Sequence, residues 1–196
     1  MIRVQPTDEP PTFDEKCRKP GQAWLEKNPS ADRPYPYWNE FDEDLRKAFH
    51  GRCAYLGLYI ARGTCDHFES FKGAGGRTLA YEWSNYRYCD SRVNNAKKPA
   101  WDGRLVDPFN VDDSWFEVLL PSCEFQVHED KIPQEPPELL ANVRFTVEKL
   151  GLKEDWATRL RLEWYQLYQA NELTWEALNR FAPMVARAVQ PDPSAL

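Results

Sequence analysis

The chain has 196 residues, of which 31 are acidic and 25 basic, so its formal charge is −6. This length predicts one domain, or one domain with a small attachment, and the eight Trp, ten Phe and nine Tyr exclude wholesale disorder because they supply apolar surface for a packed core. No run of 18 apolar residues is present and the first residues contain no apolar signal core, so we expect no transmembrane helix and a cytoplasmic location.

The five cysteines are odd in number and widely scattered: Cys17, Cys53, Cys65, Cys89 and Cys123. This pattern indicates free thiols rather than a disulfide framework. No two of the cysteines form a CxxC pair, so the sequence does not support a four-cysteine zinc site.

The first 38 residues are rich in proline, and we expect an irregular arm that wraps on the surface of the protein. A single helical turn is predicted near residues 22–27. Residues 39–50 then place Phe41 and Leu45 at helical spacing, with acidic side chains early and basic ones late. This segment predicts a short amphipathic helix.

The central part of the chain predicts two extended pieces followed by a helix. Residues 53–60 are apolar and aromatic and predict a strand, and residues 65–68 predict a second short extended piece. A glycine-rich loop is expected at residues 72–77. From about residue 86 to residue 96 apolar side chains recur at a spacing that favours a helix, which Pro99 would end.

After two short extended segments at residues 105–108 and 115–119, a proline-rich stretch at residues 131–137 separates the C-terminal third. Three helices are predicted there, at residues 138–150, 155–169 and 174–189. Gly151 stands at the C-cap of the first of them and Thr174 at the N-cap of the third, and Pro183 is expected to kink the third helix.

These elements predict an α+β fold in three parts. Residues 1–38 would form the irregular arm, residues 39–130 the core that holds the functional site, and residues 131–196 a helical C-terminal subdomain. The sequence contains no internal repeat and no low-complexity tract.

Residues that carry chemistry cluster between positions 53 and 98. Asp66 and His67 are adjacent, and Asn85 follows His67 by 18 positions. Asn94 follows Asn85 by nine positions, and Lys97 stands three positions further on. A histidine supplies a base near physiological pH, and carboxylate and amide oxygens suit a hard cation such as Mg²⁺ better than zinc. These side chains are those that a metal-assisted hydrolysis needs.

The spacing of these five residues resembles the HNH endonuclease family, whose metal site follows the pattern (D/H)H … N … (H/N)xxK. The resemblance to this motif covers about a quarter of the chain. It implies a ββα-metal core and a metal-dependent endonuclease that hydrolyses phosphodiester bonds, with DNA as the favoured substrate.

By this resemblance His67 would activate the attacking water, and Asp66 and Asn94 would hold one Mg²⁺ or Mn²⁺ ion. Asn85 would orient the His67 ring by binding one of its nitrogens. Lys97 would lie one helical turn beyond Asn94, on the same face of the helix, and would contact a phosphate.

A looser similarity extends from about residue 50 to residue 152. The strings HFESFK, AYEWSNY, VNNAKKP, LVDP and TVEKLGL keep the order of blocks of one HNH subgroup, the endonuclease partner in retron and Septu-type antiphage systems. The similarity implies a role in antiphage defence with an ABC-type ATPase as partner. It also marks Asp107, in the LVDP string, as a residue near the site.

Many HNH proteins brace the motif with a zinc knuckle made of two CxxC pairs. The matching positions of this chain are Cys53 and Leu56, then Asp90 and Val93, so one of four thiols remains. We therefore expect no structural zinc, and apolar packing in its place. This departure also predicts a divergent enzyme.

Each site residue has a plainer interpretation. His67 alone would be a structural or solvated histidine, Asn85 a helix N-cap, and Lys97 a partner of the helix dipole. Asn95 is adjacent to Asn94 and either fits the ligand position, although the spacing to Asn85 favours Asn94.

The charge is unevenly distributed along the chain. Residues 51–104 contain nine basic and five acidic side chains, a net charge of +4, which leaves 16 basic and 26 acidic side chains, a net charge of −10, for the rest. Within the basic segment, Lys98 and Arg92 are further candidates for nucleic-acid contacts. The distribution predicts weak, salt-sensitive DNA binding by this chain alone, which favours an additional protein partner.

The sequence therefore leaves three hypotheses. The first is a metal-dependent HNH endonuclease. The second is a non-catalytic or partner-dependent subunit of a defence complex with an ATPase, and the third is a metal-independent DNA-binding module. Plasmid cleavage by the wild type and by His67→Ala separates the first hypothesis from the others.

Overall fold

A computed structural model describes residues 1–189 of the chain. The described residues form short and medium helices and two antiparallel sheets of two strands each. This mixture confirms the α+β class that the sequence predicts. Within residues 1–189 no helix is long and apolar enough to cross a membrane.

The elements alternate along the chain, and their bounds are as follows. The helices are α1 (Lys19–Lys27), α2 (Asp42–Ala48), α3 (Gly76–Leu79), α4 (Ser91–Ala96), α5 (Leu139–Lys149), α6 (Asp155–Gln169), α7 (Trp175–Phe181) and α8 (Pro183–Val189). The strands are β1 (Thr64–His67), β2 (Tyr86–Cys89), β3 (Phe116–Leu119) and β4 (Glu124–Val127).

The prediction of an irregular arm over residues 1–38 is wrong for residues 14–27, which are helical, whereas residues 1–10 and 28–36 contain no helix or strand. A π-helical turn at Asp14–Arg18 runs directly into α1, so the helical stretch is far longer than the single turn expected. Pro20 lies at the start of α1, directly after the π-helical turn, and fits there because its fixed φ is close to that of a helix. Phe13 anchors the stretch, because its fully buried ring packs against the ring of Phe41.

The strand predicted at residues 53–60 is absent. The backbone turns back on itself there: the Gly57 N–H donates to the carbonyl of Cys53, and the Cys53 N–H donates to the carbonyl of Leu58. Gly57 has φ of +65°, which an extended strand does not allow. The apolar side chains of this segment reflect burial in the core rather than a strand.

The helix predicted from about residue 86 begins later. Residues 86–89 form β2, which pairs antiparallel with β1 and places Asp66 opposite Arg87 and His67 opposite Tyr86. All four β2 residues are buried. Tyr86 and Cys89, three positions apart, therefore mimic the apolar face of a helix, although they belong to a strand. Helix α4 starts only after Asp90, whose carboxylate caps it by accepting from the Arg92 N–H.

The second sheet joins β3 to β4 in antiparallel register. Strand β3 confirms the extended segment predicted at residues 115–119, whereas residues 105–108 form no strand and β4 was not predicted. A two-stranded sheet needs a covering layer, and α8 supplies it by packing against β3.

The first two C-terminal helices confirm the sequence prediction, and the third differs from it. Helices α5 and α6 lie where expected, with Gly151 at φ of +66° after α5 and the Thr174 hydroxyl accepting from the Ala177 N–H to cap α7. The predicted third helix is interrupted at Ala182, which has φ of −141°, just before Pro183. The kink expected at this proline is therefore a complete break between α7 and α8.

The core is continuous across the three predicted parts. Buried side chains from the N-terminal stretch, the central segment and the C-terminal helices belong to one hydrophobic cluster. Backbone contacts also cross the predicted boundary at residue 131, because the Tyr59 N–H donates to the carbonyl of Phe181. All five cysteines are free, as the sequence predicts.

Candidate functional site

A cleft of about 600 Å³ opens beside the β1–β2 pair. Asp66 and His67 at the end of β1 line it, together with Asn94 from α4. Trp38, from the segment after α1, and Phe71, from the loop after β1, also line it. The cleft thus brings together residues that are up to 67 positions apart in the chain, from Asp32 to Pro99.

The His67 ring is held in a defined tautomer. Its Nε2 lies 3.0 Å from the carbonyl oxygen of Ala80, which only accepts hydrogen bonds, so Nε2 carries the proton and Nδ1 carries the lone pair. The edges of Trp38 and Tyr86 pack against the ring at centroid distances of 4.6 and 5.0 Å. These contacts fix both the position and the rotation of the imidazole.

The other ring nitrogen of His67 is open. Among residues 1–189, Nδ1 has no hydrogen-bond partner, and no buried side-chain nitrogen or oxygen is left unpaired. Since the ring lines the cleft, Nδ1 reaches its open space. A neutral imidazole with a free, cleft-facing lone pair can accept a proton from a bound water.

The surroundings of His67 keep it neutral. Burial lowers its pKa, and the nearby Lys97 ammonium acts in the same direction, whereas the Ala80 carbonyl and the Asp66 carboxylate oppose the shift. The net shift of the pKa is downward from the usual value of about 6.5. The imidazole is therefore deprotonated, and ready to act as a base, at neutral pH.

Asn94 presents an unused oxygen to the same cleft. Its Nδ2 donates to the Thr64 hydroxyl at 3.0 Å and to the Cys65 carbonyl at 3.3 Å. Within the described chain, no group donates to its Oδ1. The two bonds to β1 fix the amide so that its free oxygen is a ready ligand or acceptor.

Asp66 is closed off by an ion pair. The Lys97 ammonium lies 2.8 Å from Oδ1 and 3.0 Å from Oδ2, and the Tyr55 hydroxyl donates to Oδ2 at 3.0 Å. Burial raises the pKa of Tyr55 well above its usual value, and the Asp66 carboxylate adds to the shift, so this hydroxyl stays protonated. Only 2% of the Asp66 side chain and 4% of the Lys97 side chain are exposed.

Lys97 therefore points inward instead of toward a phosphate. Its ammonium also contacts the carbonyls of His67 and Phe68, at 2.9 and 3.1 Å. Asn94 and Lys97 both contact β1 and both line the cleft, as expected of residues one helical turn apart, although α4 ends at Ala96 and Lys97 is its C-cap residue.

Asn85 does not contact the His67 ring, contrary to the expected geometry. Its amide bonds both backbone groups of Glu69, the N–H at 2.8 Å and the carbonyl at 3.1 Å, and also the carbonyl of Leu79. Asn85 thereby links the loop after β1, at Glu69, to Leu79, the residue directly before Ala80. Asn85 thus acts on the ring through the Ala80 carbonyl, as a positioning residue.

The other predicted nucleic-acid contacts lie outside the cleft. Lys98 is exposed and stands over the ring of Trp101. Arg92 stands over the ring of Trp156 and lines a separate, mainly acidic depression of about 830 Å³. Asn95 is exposed and does not line the cleft, whereas Asn94 does.

The positions of the zinc knuckle are filled by a packed cluster. Leu56 and Val93 are buried, and Cys53 accepts a hydrogen bond from the Asp90 N–H at 3.3 Å. The Cys53 and Cys89 sulfurs lie 4.0 Å apart as free thiols. The turn expected in a knuckle is thus supported by apolar contacts and N–H···S bonds.

Three groups at the site had no signal in the sequence. Trp38 comes from a segment predicted as an arm, Tyr55 from one predicted as a strand, and the Ala80 carbonyl is a backbone atom.

Asp107 is placed by an ion pair with Arg87, with a contact of 2.6 Å, and does not line the cleft. Only the folded chain shows these placements.

Comparisons with known proteins assign no family. No family model matches the chain, and no curated protein or solved structure is significantly similar to it. Membership of the HNH family therefore stays a prediction.

Proposed function

We propose that the protein is an endonuclease that hydrolyses phosphodiester bonds, with His67 as the general base. One observation carries the proposal: a neutral imidazole whose Nε2–H is locked on the Ala80 carbonyl and whose Nδ1 opens into a cleft. The order β1–β2–α4, with His67 on the first strand and Asn94 on the helix, supports the HNH resemblance.

In the proposed reaction a water bound in the cleft gives a proton to Nδ1 of His67 and attacks the phosphorus. The bond from phosphorus to the leaving oxygen of the nucleic-acid backbone breaks, and that oxygen takes up a proton from solvent, while the imidazolium later returns its own proton to solvent. The Ala80 carbonyl stabilises the imidazolium that forms, because it accepts from Nε2–H. In this proposal the Oδ1 of Asn94, which has no donor within the described chain, accepts a hydrogen bond from that water or binds a cation. A general base at this position contributes roughly 10²–10⁴ in rate.

The oxygen atoms of the site suit Mg²⁺ or Mn²⁺, but in this structure the Asp66 oxygens are not available to bind a metal ion. Asp66 and Asn94 supply oxygens, which hard divalent cations prefer, yet both Asp66 oxygens are paired with Lys97 or Tyr55. Among residues 1–189 no three His, Cys, Asp or Glu side chains are grouped to hold a metal. A cation at Asp66 thus requires that Lys97 moves, and the proposed proton transfer to His67 does not depend on it.

DNA remains the favoured substrate, on the strength of the resemblance. The basic segment 51–104 contains the site, and the rest of the chain carries a charge of −10. Because phosphate binding depends on local basic groups, we propose weak and salt-sensitive binding to DNA. A role in antiphage defence, with an ABC-type ATPase as partner, is the finer proposal and rests on the resemblance alone.

The alternative is a subunit that acts only with a partner. The closed Asp66 carboxylate favours it, because a partner or substrate would have to open the site. Co-expression with a neighbouring ATPase tests this alternative, since cleavage by the complex and not by the chain alone would support it.

The nuclease proposal is tested by cleavage of supercoiled plasmid, single-stranded DNA and RNA with Mg²⁺ or Mn²⁺. The wild type and His128→Ala, a control in which the changed histidine lies outside the cleft, should cut at the same rate. His67→Ala should lose roughly 10²–10⁴ of that rate. Equal rates for the wild type and His67→Ala would contradict the mechanism.

A further inference from the structure

A row of aromatic rings connects the surface of the protein to the candidate site. We call it the aromatic track, and its members are Trp24 from α1, Tyr35, Tyr37 and Trp38 from the segment after α1, and Tyr81 from the segment after α3. Neighbouring rings of the track lie 4.7–6.5 Å apart between their centroids, as attractive aromatic pairs do. At the inner end, the Trp38 ring packs against the His67 ring with a centroid distance of 4.6 Å.

The outer end of the aromatic track is open to solvent. Tyr35 is 53% exposed, and among residues 1–189 only one other large hydrophobic side chain, Leu167, is exposed. Trp24 and Tyr37, the neighbours of Tyr35 in the track, are half-buried. Rings that are exposed side by side are typical of a binding surface, whereas a single exposed side chain is not.

The backbone that presents the Tyr35 ring is rigid. Tyr35 stands between Pro34 and Pro36, whose own rings fix the backbone φ on both sides. The Tyr35 carbonyl accepts hydrogen bonds from the Tyr81 hydroxyl and from the Tyr37 N–H, both at 2.9 Å. A platform that is already fixed loses little entropy when a ligand stacks on it.

The aromatic track is continuous with the cleft, and the cleft favours an anion. Trp38 lines the cleft, and so do both prolines that flank Tyr35. Among the charged side chains that line it, Asp66 pairs with Lys97 and Asp32 pairs with Lys72.

Arg33 is the remaining charged side chain of the cleft lining. It is exposed and has no acidic partner among the described residues. The lining therefore carries a net positive charge, and a free guanidinium is well suited to bind a phosphate.

A surface that combines aromatic rings with a cation suits a nucleic-acid strand whose bases are unpaired. Each unpaired base offers a flat face on which an aromatic side chain stacks, whatever the base, while cations bind the phosphates. In a duplex these faces are covered by the neighbouring bases. The track thus distinguishes a single strand from a duplex, although both carry phosphates.

We propose that the aromatic track binds the unpaired bases of single-stranded DNA, with Tyr35 as the outer stacking platform, and so places the strand in the cleft beside His67. The inference rests on the proposed nuclease function and names single-stranded DNA as its preferred substrate.

The test measures binding, by the fluorescence anisotropy of a labelled single-stranded oligonucleotide of mixed sequence, in EDTA. Tyr35→Ala should bind it roughly 5- to 150-fold more weakly than the wild type, the loss expected for one stacked base. Tyr35→Phe keeps the ring and should retain the affinity. Leu167→Ala, which removes the other exposed large hydrophobic side chain, should bind as the wild type does.

Two further ligands separate base stacking from phosphate binding. An abasic strand of the same length keeps the phosphates without the bases, and the duplex of the same sequence covers the base faces. The wild type should bind each of them at least ~5-fold more weakly than the single strand. Equal affinity for the normal and the abasic strand overturns the proposal, and this comparison needs no variant.

Tyr35→Ala should remain folded, because the ring it removes is exposed and the hydrogen bonds of residue 35 use the backbone carbonyl. An unchanged Tm verifies this. A folded Tyr35→Ala that binds the single strand as tightly as the wild type overturns the proposal. So does a wild type that binds a proline-rich peptide, the other ligand of aromatic grooves, but no single strand.

The failure of this inference and the failure of the nuclease proposal can be told apart. A protein that binds the single strand through Tyr35 but cuts no DNA would refute the nuclease proposal and support the aromatic track. A protein that cuts DNA through His67, and whose affinity for the single strand does not depend on Tyr35, would refute the track alone.

Discussion

The His67 imidazole owes its properties to three neighbours that the folded chain assembles. Ala80 fixes the tautomer, and Trp38 and Tyr86 cover the ring and fix its rotation. Without them, His67 would be the solvated histidine of the plainer interpretation. Because these neighbours bury the ring, the pKa of His67 differs between the folded and the unfolded protein, and this difference can be measured.

Stability should depend on the protonation of His67. Its pKa is lower in the folded protein than in the unfolded chain, where it is about 6.5, so the unfolded state takes up a proton first as the pH falls. The free energy of unfolding should therefore decrease from pH 7 toward pH 5.5. Urea denaturation at each pH measures the slope, which His67→Gln should reduce. An unchanged slope in His67→Gln would refute the burial argument.

Asn85 should be a stabilising residue as well as a positioning one. Asn85→Ala removes three partly buried hydrogen bonds and leaves the Glu69 N–H without its acceptor, so we expect a loss of about 1–3 kcal/mol in the free energy of unfolding. Asn95→Ala, at an exposed position of α4, should change it by less than about 0.5 kcal/mol. Urea denaturation of both variants compares them, and equal stabilities would contradict the proposed clamp.

At this scale the sequence predicted which residues meet but not how they bond. Asp66, His67 and Asn94 all line one cleft, as their spacing implied. The partners of Asn85 and Lys97 were not predictable, because both bond to backbone carbonyls whose directions depend on the tertiary fold. The type of a side chain does not determine the directions of backbone carbonyls elsewhere in the chain.

At the scale of elements, the loop between β1 and α3 is constrained by close packing. A Cβ at Gly76 would lie 1.8 Å from the carbonyl oxygen of Ser70, a backbone atom that cannot rotate away. A Cβ at the neighbouring Gly75 meets only the Leu79 side chain, at 3.9 Å. The two glycines therefore differ in what they tolerate, although both belong to one glycine-rich string.

Gly76→Ala should displace the loop that forms one wall of the cleft. We expect a loss of about 1–3 kcal/mol in the free energy of unfolding, as for other overpacked sites, together with reduced cleavage. Gly75→Ala should retain wild-type values for both. Thermal unfolding and plasmid cleavage measure the two effects, and equal behaviour of the two variants would contradict the packing.

The elements that the sequence predicted correctly are helices with one buried side and one solvent-exposed side, since these give a clear apolar periodicity. Helices α5 and α6 have a buried and a solvent-facing side, and their bounds match the pattern closely. Strand β2 is only four residues long and buried throughout, and Tyr86 and Cys89 continue a three-residue recurrence that also marks one face of a helix. The helical stretch before and within α1 was hidden by its prolines, which stand where helices tolerate them.

At the scale of the whole molecule, one core joins all three predicted parts. The buried clusters around the site continue into the packing between α8 and β3. Unfolding should therefore be one cooperative transition. Tryptophan fluorescence and far-UV circular dichroism should give the same midpoint in urea, and two separated midpoints would indicate an independent C-terminal subdomain.

The most direct test of the account is chemical rescue of the base. His67→Ala leaves a cavity at the floor of the cleft, and we expect plasmid cleavage to fall by roughly 10²–10⁴. Added imidazole, a neutral base of the same shape, should restore part of the rate in His67→Ala and none in Asn94→Ala. The account is contradicted if His67→Ala cuts as fast as the wild type without imidazole.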